Sequence, residues 1–561
     1  MEEMEDAASM LPYLPLELRS SELSWPPATA EALAAMSRGP EHGGVASGEA
    51  LAAAVSGMRR ASDPSPLARF APQGYALFFD ELMPREDAEK WFGEVIPFLA
   101  NLLLRLPELL EYHWRHARGY SRSRKGRVEA GLRILDRQQA GIVILSRELV
   151  AALLACSFFS LFPVIERGFK HLPMINFDSL FANLYESYDE KPESKMRCIT
   201  HYFHRISSNI PVGVVSFERK VLPLDSNHLV PYGKVDFWSK SAFPLCHLEV
   251  HDSGLMEDHS GEALQVDFAN KYIGGGALNW GCVQEEILFM INPELIVSML
   301  FLPALADNEA IEIVGTERFS NYTGYASSFK FSGDYIDKKD TDRMGRHRTR
   351  IVAIDALCRP GIKQYELQLL LREINKAFCG FSDDSKYQLY ERVFQENCLA
   401  GLVDGRVQVS NHVSGDDALQ KDPATFPRTE GGAGDKEIPN AEALTQIPDD
   451  EDNIGIVTGN WGCGAFGGDP ELKSMIQWLA ASQALRPFMS YYTFGTEALQ
   501  NLRQVSQWIL LHGWTVGDLW NMLVEYSSQR LKRETKLGFF AWLLPTVTAD
   551  DAMTFNTLDA T

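Results

Sequence analysis

The chain has no CxxC pair among its eight cysteines, Cys156, Cys198, Cys246, Cys282, Cys358, Cys379, Cys398 and Cys463. Neither a zinc ribbon nor a thioredoxin-type redox motif is therefore written into it. These thiols and the thirteen histidines show no metal-ligand spacing, so no metal and no cofactor are expected. No secretory leader is recognisable at the start. The thiols are accordingly expected to be reduced, in a protein of the nucleus and cytoplasm. Positive charge is also scarce: 53 Lys and Arg stand against 75 Asp and Glu, a net charge of −22. That excludes a general nucleic-acid binder, which needs a broad basic surface to release counterions. A polyanionic ligand could be met only in a local pocket. No apolar run reaches the roughly 20 residues of a membrane span. The longest, Leu149 to Ile165, contains Ser157 and Ser160, is broken by Pro163 and follows Arg147 and Glu148. It predicts a buried helix and no membrane association.

What is present is an ordinary globular composition, 45% hydrophobic and 23% charged, over 561 residues. That is enough for two or more domains with their own cores. Residues 1–10 read as a flexible terminus. Leu11–Pro27 reads as an extended arm, and Glu49–Arg60 as a short helix. Asp87–Leu110 and Leu132–Phe162 have helical character. Residues 11–205 are thus expected to form a mainly helical accessory domain. Its one basic cluster, Arg115–Arg127, reads as a solvated loop.

From Ile210 the texture changes. Val212–Phe217, Cys246–His251, Leu264–Phe268, Ile311–Val314, Ile351–Asp355, Ile454–Val457 and Ser490–Phe494 read as strands. Val283–Ile291, Leu472–Ser482, Glu497–Leu511 and Val516–Leu531 read as helices between them. Strands alternating with helices imply an α/β layered domain over 206–545. Residues 382–453 within it are polar and acidic and are expected to be a disordered insertion. Residues 546–561 are expected to be a flexible tail.

The densest chemistry lies in Leu264–Leu295, LQVDFANKYIGGGALNWGCVQEEILFMINPEL. A short strand ends near Asp267 and Asn270. Gly274, Gly275 and Gly276 then make a loop without side chains, which a ligand can approach closely. Gln284, Glu285 and Glu286 open an apolar helix. Acids favour a helix's first turn for structural reasons alone. Two adjacent carboxylates beside a bare backbone loop nevertheless suit acid–base work.

A second glycine loop, IGIVTGNWGCGAFGGD over Ile454–Asp469, runs from a strand into a helix that begins Asp469-Pro470-Glu471. Asp is a good N-cap and Pro a preferred first residue. Such a loop is an anion site, since backbone N–H groups and the helix dipole face the ligand. Asp469 should turn its carboxylate into its own cap. Gly462-Cys463-Gly464-Ala465-Phe466-Gly467 also fits GxGxxG. The dinucleotide reading needs an acid about 20 positions on, but after Glu471 the next acid is Glu497.

Three glycines, seven residues and Gln-Glu-Glu, preceded by VDFAN, resemble the signature of the poly(ADP-ribose) glycohydrolases. GNWGCGAFGGD resembles that family's diphosphate-binding segment, and the chain is most similar to plant members. Leu288, where many relatives have a basic residue, and Asn279-Trp280 are departures. The resemblance implies an α/β macrodomain-like mixed sheet flanked by helices, with the helical accessory domain before it. It implies hydrolysis of the ribose–ribose bonds of poly(ADP-ribose) on modified proteins, releasing ADP-ribose, by a monomer with no sequence-specific nucleic-acid contact. Glu286 would protonate the leaving oxygen and then activate water, with Glu285 on ribose hydroxyls and Asp267 and Asn270 orienting them. Gln284 would touch adenine or ribose. Asn460, Gly462, Gly464, Ala465, Phe466 and Gly467 would hold the diphosphate. Tyr325 and Phe494 would sandwich the adenine, Tyr322 would lie by the distal ribose, and Glu257 would meet the adenine edge. A macrodomain that binds ADP-ribose without cleaving it is the alternative; it needs the loops and aromatics but not the two glutamates.

Overall fold

The structure, a computed structural model, describes residues 8–544 apart from 21, 64, 118–121, 124–125, 128–129, 188–189, 225–232, 260 and 384–453. The expected acidic insertion, the C-terminal tail and much of the basic cluster thus lie outside the described residues.

Eight strands form one mixed sheet. In chain order they are β1 (Gly141–Ser146), β2 (Val214–Val221), β3 (His247–His251), β4 (Ala263–Asp267), β5 (Glu309–Val314), β6 (Arg350–Ala353), β7 (Gly455–Gly459) and β8 (Phe488–Tyr492). Across the sheet the order is β1-β2-β5-β6-β4-β7-β8-β3. The first four pair antiparallel. From β6 to β3 every pairing is parallel. Parallel strands need cover on both faces, and all of β7 is buried. The five parallel strands end at one edge, at Ala353, Asp267, Gly459, Tyr492 and His251. In open α/β sheets ligands bind in the crevice outside these carboxyl ends.

The helices that matter for the site are α1 (Arg147–Phe158), α2 (Glu190–Ser208), α3 (Gln284–Ile291), α4 (Leu367–Phe381) and α5 (Pro470–Gln483). One apolar core joins the helical region to the sheet: Leu99, Phe158, Phe181 and Phe203 share it with Leu295 and Ile313. Buried charges tie the two as well. Arg147, opening α1, meets Glu294 at 2.8 Å and Glu317 at 2.8 Å.

Each expected strand is present, its ends moved by at most four residues. Four segments differ from the expectation. Leu132–Phe162 is not helical throughout: Gly141–Ser146 is the edge strand of the sheet, with Val143 opposite Phe217. The β-branched run Ile142-Val143-Ile144 suits a pleated surface. Ser146 then accepts from Leu149 N–H at 3.3 Å and starts α1. Within Asp87–Leu110 the helix breaks at Arg105, and a new one opens at Leu106-Pro107. Leu11–Pro27 holds a 3₁₀ turn and a hairpin, Glu17–Arg19 against Glu22–Ser24. Glu497–Leu511 is a 3₁₀ turn, Glu497–Leu499, followed by a helix, Leu502–Leu511. The fold also adds α4, whose Leu370, Leu371, Ile374, Phe378 and Phe381 have helical spacing and are buried.

Candidate active site

A cavity of about 520 Å³ opens at the carboxyl ends of the parallel strands. Each loop following such a strand contributes to it. The loop after β3 supplies Leu255, Met256 and Glu257; that after β4 supplies Phe268 and Ala269; that after β6 supplies Ala356. The loop after β7 supplies Asn460, Gly462, Gly464, Ala465 and Phe466, and that after β8 supplies Phe494 and Thr496. Val283, Gln284 and Ile287 come from the start of α3, and Tyr322 and Tyr325 from a two-stranded ribbon, Ser320–Thr323 with Lys330–Asp334.

The aromatic walls stand ready. Tyr325 is 54% exposed and Phe494 45%, and both rings line the cavity. Phe494 also holds φ at +51°, a left-handed conformation that bulky residues adopt only where the surroundings impose it. Tyr322 donates to Glu257 Oε1 at 3.1 Å. Burial pushes the Glu257 carboxyl up, opposed by that hydrogen bond and by Arg318. Arg318 in turn pins the neighbouring Asp258 at 2.7 Å.

The loop after β7 has the form of an anion cradle. The N–H groups of Gly464, Ala465 and Phe466 donate to no protein group among the described residues. They lie just before the N-terminus of α5, where the helix dipole favours negative charge. Asp469 caps α5 as expected, accepting from Glu471 N–H at 2.9 Å and Leu472 N–H at 3.3 Å. Its other oxygen takes the Tyr365 hydroxyl at 2.6 Å, which turns the charge away from the loop. Asn460 lines the cavity, but its amide is committed: Nδ2 donates to Thr493 O at 3.0 Å and Thr496 Oγ1 at 2.9 Å, and Oδ1 accepts from Tyr491 at 3.1 Å. Its task is to brace the Phe494 loop. Gly467 lies behind the lining, its N–H closing a turn onto Gly464 O at 3.0 Å.

The acidic group lies beneath the glycine triplet. Glu285 Oε1 accepts from Gly274 N–H at 2.6 Å and Oε2 from Asn270 N–H at 2.8 Å. Glu286 Oε1 accepts from Gly276 N–H at 2.9 Å and Oε2 from Val283 N–H at 2.8 Å. The second of these is the helix-capping bond of an acid at the third helical position. The structural and the chemical readings of Glu286 therefore fall on the same side chain. Gly275 has φ +49°, and a Cβ there would sit 2.5 Å from Glu285 Oε2 and 2.6 Å from Glu286 Oε1. The two carboxylates close around a position only glycine can fill.

Asp267, at the end of β4, is wholly buried, and neither carboxyl oxygen has a hydrogen-bond partner among the described residues. Burial and the nearby charge of Glu286 push it well above the usual carboxylate range. Glu285 is pushed up too, by burial and then by Asp267 and Glu286, while its two backbone donors pull the other way. Glu286 is 6% exposed. Its charge acts to raise the Tyr325 hydroxyl, which the Gln284 backbone acts to lower. The acidic turn thus lies beside the aromatic wall.

Three of the expected ligand residues have protein partners in this structure. Glu285, expected on ribose hydroxyls, holds the loop Asn270–Gly274 with both its oxygens. The Asn270 side-chain oxygen accepts from Tyr272 N–H at 3.1 Å, shaping the same turn outside the cavity lining. Gln284 lines the cavity, yet its amide pairs with the strand backbone, accepting from Phe268 N–H at 2.8 Å and donating to Val266 O at 3.3 Å.

Residues 235–501 match the family description of poly(ADP-ribose) glycohydrolase, macro domain fold, and residues 83–219 match that of its helical domain. The chain is 54% identical over 557 residues, covering 98% of both chains, to poly(ADP-ribose) glycohydrolase 1 of Arabidopsis thaliana. It is 50% identical over 547 residues to the probable poly(ADP-ribose) glycohydrolase 2 of the same plant, covering 97% of this chain and 99% of that one. Poly(ADP-ribose) glycohydrolase 1 of Caenorhabditis elegans is 30% identical over 342 residues, 59% of this chain and 35% of the other.

The chain belongs to the poly(ADP-ribose) glycohydrolases. As such a glycohydrolase it carries a macro domain fold and a helical domain, and the two plant relatives match 98% and 97% of its length. Leu288, the departure within the signature, is 1% exposed and packs in the core. Other residues shaping this glycohydrolase's site have no local sequence signal. Trp461 is buried and donates to Ile354 O at 2.8 Å. Buried Lys473, on α5, lies over its ring at 3.9 Å and pairs with Glu373 of α4. No helix among the described residues is long and apolar enough to cross a membrane.

Proposed function

We propose that the cavity takes the terminal ADP-ribose unit of poly(ADP-ribose) and that Glu286 cleaves the ribose–ribose bond beyond it. The observation that carries this reading is the meeting of three features at one sheet edge: a flat-walled cavity, a row of free backbone N–H groups, and a carboxylate fixed by two N–H donors. Adenine stacks between Tyr325 and Phe494, with Glu257 at its edge. The diphosphate lies on Gly464–Phe466. The ribose then falls towards the glycine triplet.

Glycoside cleavage needs a proton on the leaving oxygen and support for an oxocarbenium-like centre. Glu286 delivers that proton; the C–O bond breaks, and the electron pair leaves with the protonated ribose oxygen. Ionised Glu286 then takes a proton from the water that attacks the anomeric carbon. The anionic diphosphate, folded close by, supports the positive centre. Glu285 holds the loop, and Asp267 sits beneath as a largely neutral carboxyl. The substrate carries its own charge into a chain of net −22, so the local cradle, and not the overall field, must draw it in.

The chain acts as a monomer of the nucleus and cytoplasm, in the response to DNA damage. The seven described cysteines, all free thiols, suit such a compartment. Incubation with end-labelled polymer tests the activity: release of ADP-ribose is expected, whereas a chain that only binds would retain the polymer intact.

A further inference from the structure

One cation reaches the glycine loop from the helical region. Lys195, on α2, is 1% exposed. Its ammonium donates to three carbonyls of one turn: Gly276 O at 3.3 Å, Ala277 O at 3.0 Å and Asn279 O at 2.8 Å. A lysine ammonium has three donors, so all of them act on one loop. The partners are carbonyl oxygens, which orient the ammonium without neutralising it. Burying an ion in that way is costly, so the contact needs a purpose beyond cohesion.

The held segment is the one that faces Glu286. Gly276 offers its carbonyl to Lys195 and its N–H to Glu286 Oε1 at 2.9 Å. Gly281, at the far end of the same turn, packs so closely that an added Cβ would lie 2.5 Å from Glu286 Oε1. Burial brings Lys195 down to about 8, while the nearby charges of Cys282 and Glu286 act to raise it. Helix α2 also steadies the ribbon that carries the aromatic wall. His201 and Arg205 meet Asp334 Oδ1 at 2.9 and 3.2 Å, and Arg205 donates to Tyr335 O at 2.7 Å. Asp334 ends the ribbon that carries Tyr322. One helix therefore grips both the acidic loop and the aromatic ribbon.

We propose that Lys195 is a positioning residue for glycoside cleavage, its ammonium clamping Gly276–Asn279 so that the Glu286 carboxyl stays aimed at the bridging oxygen. This rests on the reading of Glu286 as the proton donor. The three carbonyls that Lys195 holds are not among the residues lining the cavity, so it sets the rate and not the affinity for ADP-ribose. A merely structural lysine would lower both or neither.

The test compares Lys195→Met, Lys195→Gln and Glu286→Gln with the full wild-type chain. Turnover of labelled polymer gives kcat and KM, and calorimetric titration with ADP-ribose gives the affinity of the cavity. Misplacement of a reacting group by 1 Å costs about 10²-fold, so K195M should lose about that much kcat. Its ADP-ribose affinity should change by less than about threefold, the signature of an interaction made in the transition state. K195Q, which keeps a polar head and one donor group, should fall between K195M and wild type, and it carries the test if K195M does not fold. Wild-type kcat in either Lys195 variant, with E286Q silent, overturns this proposal alone. So does a kcat loss matched by an equal loss of ADP-ribose affinity. Normal turnover by E286Q overturns the assignment of Glu286 and this proposal with it.

Discussion

Replacing Glu286 with Gln removes one proton and almost no volume, so its effects can be worked from the contacts. The carboxylate accepts from Gly276 N–H at 2.9 Å and Val283 N–H at 2.8 Å. An amide supplies one carbonyl oxygen, and its NH₂ must face the other N–H. Leaving a buried donor unmatched costs about 1–3 kcal/mol. Against this, a charge that crowds Asp267 and Glu285 disappears. The two effects oppose each other, and the net change should stay within about 2 kcal/mol. A chain with about 5–15 kcal/mol of stability remains folded. The kinetic effect is larger: loss of general acid–base catalysis costs about 10²–10⁴-fold, or about 2.7–5.4 kcal/mol of barrier. ADP-ribose release from labelled polymer should therefore fall at least about 100-fold. Calorimetric affinity for ADP-ribose should hold, because the cavity's aromatic and glycine walls are untouched. Turnover within tenfold of wild type, in a variant that binds ADP-ribose normally, would show that Glu286 is a helix cap and nothing more.

Three further outcomes follow from the same geometry. Gly275→Ala drives a Cβ against both carboxylates at an unfavourable φ, so activity should fall below detection in the polymer assay while the rest of the fold, read by circular dichroism, persists. Phe494→Ala removes one adenine wall; stacking contributes roughly 1–3 kcal/mol per base, so the ADP-ribose dissociation constant in calorimetry should rise about 5- to 150-fold. Asp267→Asn tests the raised carboxyl through stability. The folded chain keeps a proton there that the unfolded chain loses above about pH 4, so this carboxyl favours folding least at high pH, and stability falls as pH rises towards the folded-state titration. Urea midpoints of wild type should drop from pH 5 to pH 8 more than those of D267N, and equal slopes would refute the assignment.

The site was legible where its residues are neighbours in the chain. The glycine triplet, Glu285 and Glu286 fall within Gly274–Glu286, and the anion loop within Asn460–Asp469, so spacing alone displays them. What spacing cannot show is which way a side chain turns. Glu285 and Asn270 sit beside the ribose site in sequence, yet both face the loop backbone. Strand β1 was hidden because Gly141–Ser146 runs into α1 without a loop, and short apolar runs do not separate strand from helix. Lys195 is the clearest case. It is one more lysine on a helix, some 80 residues from the carbonyls it holds, and only the packing of the helical region against the sheet brings it there.

The acidic group also shows why its members are held as they are. Three carboxyls, Asp267, Glu285 and Glu286, crowd one buried spot. A salt bridge would fix each as an ion, and an arginine-paired carboxylate is a poor proton donor. Here Glu285 and Glu286 are aimed by backbone N–H groups, which set their direction; at Glu285 those donors also favour the charged form, and burial and the neighbouring carboxyls outweigh them. The nearby cation, Lys195, is turned to carbonyls, so it contributes field without capturing a carboxylate. Asp267, with no hydrogen-bond partner among the described residues, has its carboxyl pushed well above the usual range by burial and by Glu286, which favours its neutral form and keeps the local negative charge down. A loop that carried its own lysine could not do this, because a short flexible tether would let the ammonium fold onto the glutamates. Holding the cation on a separate, rigid helix keeps it near them but directed elsewhere. That gives the helical domain a chemical task in a reaction whose substrate it need not touch.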